Sequence, residues 1–227
     1  MYDTTILIPY RNRKTHLDYW LTHTAPLLYP NTRVVIIEQA GSKLFNRGKL
    51  LNVGFVRYTS DTHYIMTHDV DINPNVKALS EFYNQSVADN EALGIYTSYC
   101  ETLGGIVKLT SNTINSINGF PNDYWGWGCE DRALYNRCIH YNIKIKKNIL
   151  NNMPSRTDYF TIFNDIDDRV LQDLNTRTQY EYHQFLTLDK STQRKRIQRS
   201  GLNTLNYTLL NHIHVSPNIE HILVDID

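Results

Sequence analysis

The chain has 227 residues, 23 Lys plus Arg against 23 Asp plus Glu, and three cysteines. That length buries a full core as a single domain over 1–227, and the balanced charge leaves no electrostatic footprint for nucleic acid or an anionic membrane surface. Cys100, Cys129 and Cys138 form neither a disulfide framework nor a CxxC zinc pattern, and no apolar run approaches a membrane span or a signal peptide. The expectation is a soluble, cytoplasmic chain without a membrane anchor.

In chain order, TTILIP (4–9) is a short β-branched run that ends at Pro9 and the polar cluster YRNRK, which predicts a buried strand and then a loop. HLDYWLTHTAPLL (16–28) has apolar residues at helical spacing and stops at Tyr29-Pro30. RVVIIEQ (33–39) predicts a second buried strand, KLLNVGFVRYT (49–59) a helix, and HYIMTHDVD (63–71) a third strand ending in two acids. Strand, helix, strand, helix, strand predicts an α/β fold with a mostly parallel sheet flanked by helices. Ligands of such sheets bind beyond the carboxyl ends of the strands. All three predicted ends carry chemically capable residues: Arg11 and Arg13, Glu38 and Gln39, Asp69 and Asp71. Further along, GIYTSY (94–99) and GGIVKLT (104–110) read as strands, ALYNRCIHY (133–141) as a helix, and HILVDID as a final strand. The basic run RKRIQR (194–199) reads as a solvated helix face. Residues 151–185 are polar and fit a long mobile loop or lid.

Asp69-Val70-Asp71 offers two hard carboxylates on one side of a strand end, suited to Mn2+ or Mg2+ with substrate phosphates; a turn closed by Asx hydrogen bonds accounts for it equally. Arg11, Arg13 and Arg47 present guanidinium forks that match phosphate, with Phe45 a flat face for a base, or they are ordinary surface arginines. Gly104-Gly105 allows close approach of backbone to a ligand or marks a bulge. In NGFPNDYWGWGCED (118–131), Glu130 and Asp131 can supply a general base for a hydroxyl nucleophile, and Trp125 and Trp127 suit the apolar face of a sugar. The alternative is a core aromatic cluster followed by a helix that starts at the acids.

Taken together these blocks resemble the β-1,4-galactosyltransferases, a metal-dependent inverting family that uses UDP-sugars. The resemblance runs in order through IPYRNRKTHL (8–17), FNRGKLLNVGF (45–55), HDVDINP (68–74), LGGIVKLT (103–110), NGFPNDYWGWGCED (118–131), SGLNTLNYTLL and HILVDID. HDVD and the C-terminal blocks look most like the branch that galactosylates xylose; NGFPNDYWGWG looks more like the branch that extends N-acetylglucosamine. The resemblance implies a GT-A fold and transfer of galactose from UDP-galactose to a carbohydrate or glycoprotein acceptor in β-1,4 linkage. It implies that Arg11, Arg13, Phe45 and Arg47 hold UDP, with Asp69 close to the donor and Asp71 binding Mn2+. Gly105 would face the donor sugar, Trp127 would line the donor–acceptor junction, Glu130 and Asp131 would bind the acceptor, and Asp131 would be the base.

The chain departs from the family in four places. Cys129 stands where the family has Gly or Arg, and Arg132 where it usually has an acid. Thr102 replaces a common Tyr beside the sugar, which implies room for UDP-N-acetylgalactosamine. The family's further metal ligands, a Met and a His or an H-x-H after the WGWG block, are missing: Ile162 and Asn164 fall there. Asp158, Asp165 and His183 are candidate replacements, with Met153 a weaker one. His212 and His214 share a strand face near the C-terminus and read as structural. The alternatives to a galactosyltransferase are a UDP-N-acetylgalactosamine-using transferase and a catalytically silent nucleotide-sugar or glycan-binding module. The lack of an anchor and of cysteine pairing suggests a microbial or viral origin.

Overall fold

Three uninterrupted apolar strands start the fold. In the computed structural model, which describes residues 2–126, 128–163 and 176–226, β1 (Tyr2–Tyr10) runs parallel to both β2 (Thr32–Gln39) and β3 (Thr62–His68). Alternate residues point to opposite faces, so Ile6, Ile8, Val34, Ile36 and Met66 enter one core with Leu17 and Trp20 of α1 (Lys14–His23). Leu7, Val35, Ile37 and Ile65 enter the other with Leu50, Leu51 and Phe55 of α2 (Arg47–Tyr58). Burial on both faces is why these strands read as continuous apolar runs. Helix α2 lies close on the sheet because Gly54 carries no side chain: a Cβ there would stand 2.5 Å from Leu7 Cδ1 and 2.7 Å from Ile37 Cδ1.

The chain continues through β4 (Ile72–Pro74), α3 (Val76–Ala78) with a wider helical turn at Leu79–Tyr83, β5 (Glu91–Thr97), β6 (Ile106–Thr110), α4 (Ser111–Ser116), α5 (Glu130–His140) and β7 (Lys144–Leu150). After β8 (Phe160–Ile162) come α6 (Thr176–Leu186), α7 (Lys190–Arg199), β9 (Thr208–Ser216) and β10 (Ile219–Asp225). The main sheet has eight strands in the order β7-β5-β6-β3-β1-β2-β10-β9, and β4 pairs with β8 in a small second ladder. Strand β6 is antiparallel to β3 and β5, β9 to β10 and β4 to β8; the other pairings of the main sheet are parallel. Strands from both ends of the chain thus share one sheet.

Several sequence expectations are corrected. The helix expected over 16–28 ends at His23, and Pro26 sits in a separate short turn, Ala25–Leu27. Strand β3 ends at His68, so Asp69 and Asp71 are not on a strand; they lie in a turn closed by the Ile72 N–H donating to the Asp69 carbonyl. The strand expected from Gly104 starts at Ile106, because Gly105 takes a φ of +74°. The polar stretch 151–185, expected as a loop, contains the turn Pro154–Asp158, β8 and most of α6, with residues 164–175 outside the described part. RKRIQR does form a solvated helix face: in α7 only Ile197 is buried. Among the described residues no helix is long and apolar enough to cross a membrane.

Candidate active site

The sheet topology brings the ends of β1, β2, β3 and β5 and the start of the reversed β6 to one edge. Beyond β1, Asn12 adopts a left-handed φ of 53°, which bends the chain between Arg11 and Arg13. Arg13 Nη1 donates to Asp71 Oδ2 at 2.8 Å. Arg11 donates to the Lys43 carbonyl and lies 5.4 Å over the Phe45 ring. Gln39, at the end of β2, holds the next loop in shape: its Oε1 accepts from the Asn46 N–H and its Nε2 donates to the Leu44 carbonyl. Asn46 caps α2 by accepting from the Lys49 N–H, which places Arg47 in the first turn.

Arg47 links blocks far apart in sequence. Its Nε donates to Asp69 Oδ1 at 2.8 Å, and its Nη1 lies 4.0 Å from Asp131 Oδ1 at the start of α5. Asp131 is held from the other side as well. Its carbonyl accepts from the Leu103 N–H, and its carboxylate abuts Gly104, where a Cβ would come within 2.1 Å of Oδ2. The Asp69 N–H donates to the Gly105 carbonyl, so the Gly-Gly turn touches both acidic blocks. Glu130 and Asp131 do start a helix, where acids are favourable, and Asp131 lies within 4.0 Å of Arg47.

Charge here is unbalanced, with Asp69, Asp71, Glu130 and Asp131 facing Arg13 and Arg47. Burial, then the Asp71 and Asp131 charges, push Asp69 up to about 6 against the pull of Arg47. Burial first, then Asp131, push Glu130 well above the usual carboxylate range, and its Oε2 is buried without a hydrogen-bond partner. Arg47 is held more firmly charged: the three carboxylates around it outweigh the opposing cost of its burial. An excess of hard oxygen donors over cations suits a divalent ion such as Mn2+ or Mg2+. Asp69, Asp71 and Asp131 are each only partly exposed, and Asp71 becomes available to such an ion once Arg13 releases it.

The expected additional ligands fare differently. Ile162 pairs with Ile72, and the Phe163 N–H donates to the Asp71 carbonyl at 3.0 Å. Asn164 and Asp165 lie outside the described residues, as does Trp127. Asp158 and His183 are exposed, and neither joins Asp71 in a three-ligand group among the described residues. Met153 is exposed too. Thr102 is buried, with Oγ1 lacking a partner. Trp125 is partly buried against the α2 side of the core, with Lys43 and Lys49 over its ring at 5.5 and 5.6 Å. Cys129 precedes α5 at φ 72°, a conformation that glycine meets without strain. Burial raises its thiol pKa.

Some residues that shape this edge carry no signal in the sequence. Asn52 of α2 donates to the Phe120 carbonyl and Asn122 Oδ1 and accepts from the Phe120 N–H, all at 2.8 Å. Arg137 of α5 donates to the carbonyls of Asn118, Gly119 and Ser200. Together they fasten NGFPN beneath the cleft. His68 bridges the Asp69 carbonyl and the Tyr83 hydroxyl. Their partners are remote in the chain, so only a structure reveals them.

Residues 1–80 match the family model described as the N-terminal region of glycosyl transferase group 7, and residues 84–163 match that of the N-terminal domain of galactosyltransferase. The chain belongs to glycosyltransferase group 7, the β-1,4-galactosyltransferase family. It is 32% identical over 229 residues to β-1,4-galactosyltransferase 4 of Cricetulus griseus, covering 97% of this chain and 62% of that protein. It is 38% identical over 152 residues to β-1,4-galactosyltransferase 1 of Mus musculus, covering 63% of this chain and 38% of that protein. The chain thus spans less than two thirds of the length of these relatives. These two relatives are mammalian and lend the expected microbial or viral origin no support. Among solved structures, the catalytic domain of Drosophila β-1,4-galactosyltransferase 7 with xylobiose superposes at a TM-score of 0.74 and 23% identity, over 100% of this chain and 95% of that one. A mutant of the same enzyme with manganese, UDP-galactose and xylobiose gives 0.75. The GT-A fold expected from the sequence is the fold of this family member.

Proposed function

We propose that the whole chain acts as one GT-A catalytic domain that transfers galactose from UDP-galactose to a hydroxyl of a sugar acceptor in β-1,4 linkage. The observation that carries this reading is the Arg47 bridge. One buried guanidinium contacts Asp69 of the DVD turn and approaches Asp131 of the α5 start, so the donor-side and acceptor-side blocks share one cleft. Family membership and the relatives' names support the donor and the linkage.

In this reading Arg11 and Phe45 take the uridine end of the donor, and Arg13 and Arg47 face its diphosphate. Asp71, with Asp69 nearby, would hold Mn2+, which supplies charge neutralisation for the leaving UDP. Asp131 accepts the proton of the attacking acceptor hydroxyl, a role typically worth roughly 10²–10⁴-fold in rate. Glu130, its carboxyl pushed up by burial and by Asp131, binds the acceptor. Attack from the face opposite UDP inverts the anomeric centre, so an α-linked donor gives a β-product.

The xylose-type features of HDVD and the fold likeness to the Drosophila enzyme put xyloside first among acceptors, ahead of N-acetylglucosaminide and glucoside. Thr102, small and without a hydroxyl partner, leaves space for a donor with a larger C2 substituent, so UDP-N-acetylgalactosamine is accepted as well. Incubating the protein and Mn2+ with each UDP-sugar and each simple acceptor glycoside, with products followed by NMR, tests both points. Transfer of galactose with a β-anomeric coupling supports the reading. A strict preference for galactose removes the second donor, and absence of transfer across the panel removes the activity.

A further inference from the structure

The catalytic edge leaves His212 and His214 unexplained. They occupy alternate positions of β9, so both rings leave the same face, with centroids 5.0 Å apart. In the β9–β10 ladder His214 pairs with Glu220 and His212 with Ile222. Glu220 is therefore directly opposite one histidine and diagonal to the other, both within side-chain reach. His212 Nε2 lies 2.8 Å from Glu220 Oε2. One ligand atom from each of the three residues falls within 4.8 Å of the others, the only such group of three or more His, Cys, Asp or Glu among the described residues. The imidazoles are exposed, whereas Glu220 is buried. Tyr58 of α2 donates to the same Oε2 at 2.9 Å.

We propose that His212, His214 and Glu220 bind one transition-metal dication of the Zn2+ class, at a site separate from Asp71. Two imidazoles and one carboxylate favour Zn2+, Ni2+ or Cu2+ over the oxygen-seeking Mg2+ and Mn2+. Tetrahedral Zn2+ with bonds of about 2.0–2.1 Å sets ligand atoms about 3.3 Å apart. The cluster reaches that spacing by opening the His212–Glu220 contact and swinging His214, and both rings are free of packing on the solvent side. The fourth position faces water. The Tyr58 hydroxyl orients the carboxylate from behind, as outer partners of metal ligands do. Arg33 opposes a cation, since its Nη1 is 4.0 Å from Glu220 Oε1. Its charge is already matched by Asp61 at 2.6 Å, so Glu220 leaves the local sum negative. Among the described residues strand β9 is the sheet edge and pairs only with β10, and the ion ties it to β10 and α2. Glu220 is the second residue of β10, roughly 16 Å along the strand from its catalytic end at Asp225.

The test uses the full chain carrying Asp71→Asn, which silences the catalytic edge. Zn2+ is titrated by calorimetry and by thermal melts in this parent, in the parent with His212→Asn and His214→Asn, and in the parent with Tyr58→Phe. The parent binds about one Zn2+ per chain and melts at a higher temperature with it. The histidine variant melts like the parent without metal and loses both the binding and the shift. Tyr58→Phe weakens binding roughly tenfold, and Mn2+ gives no saturable binding. Equal Zn2+ binding by the histidine variant, no saturable Zn2+ binding by the parent, or Mn2+ binding as tight as Zn2+ would each overturn the proposal.

Discussion

Gly104→Ala separates the position of the base from the stability of the fold. Gly104 lies outside the left-handed region of backbone space, so alanine meets no backbone strain there. Its Cβ meets Asp131 instead, 2.1 Å from Oδ2, 2.7 Å from Cγ and 3.3 Å from Cβ. Ordinary contact begins near 3.4 Å, so the carboxylate must retreat by about 1.3 Å, while Asp131 Cβ, already near that limit, barely moves. Misplacing a reacting group by about 1 Å costs on the order of 100-fold in rate, or about 2.7 kcal/mol of barrier. The expected variant is folded, with a melting temperature near the parent's, an unchanged KM for UDP-galactose and a kcat reduced about 100-fold. Steady-state UDP release with melts on the same samples gives both quantities. A folded variant with a kcat close to the parent's refutes the assignment of Asp131 as a base seated against Gly104. The neighbouring Gly105→Ala should do the reverse and lose stability, because Gly105 has φ +74° and its Cβ would stand 2.5 Å from the Tyr96 carbonyl oxygen.

Glu130→Gln raises stability at pH 7 and leaves it unchanged near pH 4. The folded pKa of Glu130 is raised by burial and by Asp131, so the parent loses stability as pH rises above the unfolded value, and glutamine removes that loss. The check is the urea midpoint of both proteins at the two pH values; equal midpoints at pH 7 refute it. His68 acts in the opposite direction. Burial depresses it to about 4, so its contribution is complete above the unfolded value and fades as pH falls towards the folded one. Between pH 7 and pH 5 it removes about 2 kcal/mol of stability, read as a urea-midpoint shift that His68→Gln reduces.

The parts of this fold that are legible in the sequence are those whose residues act locally. β1, β2 and β3 are apolar on both faces and bounded by polar turns, so their order and the edge they share follow from pattern alone. β7, KIKKNIL, escapes because its lysines break the apolar run: Lys144 and Lys146 reach out to Glu91, and Lys147 holds the carbonyls of Ser98 and Cys100. β9 shows in the sequence only as the strand face of His212 and His214, for a related reason: it is exposed along nearly its whole length. Asp69 and Asp71 were recognisable as a pair, but their placement on a strand was not sound, since the turn that ends β3 depends on the Gly105 contact. The grouping of Arg47, Asp69 and Asp131 follows from the ordered blocks. The polar clamps of Asn52 and Arg137 on the NGFPN loop are long-range hydrogen bonds with no local pattern to announce them.

The stretch NGFPNDYWGWGCED therefore has two tasks: its first half is fastened to α2 and α5, and its last two residues open α5 at the cleft. Whether those residues perform transfer is tested most directly by Mn2+-dependent UDP release from UDP-galactose with an acceptor glycoside, for the parent and for Asp131→Asn. The account requires acceptor-stimulated release in the parent, a β-linked galactoside as product, and a loss of roughly 10²-fold or more in the variant with donor binding retained. Acceptor-stimulated release that survives Asp131→Asn unchanged would contradict it.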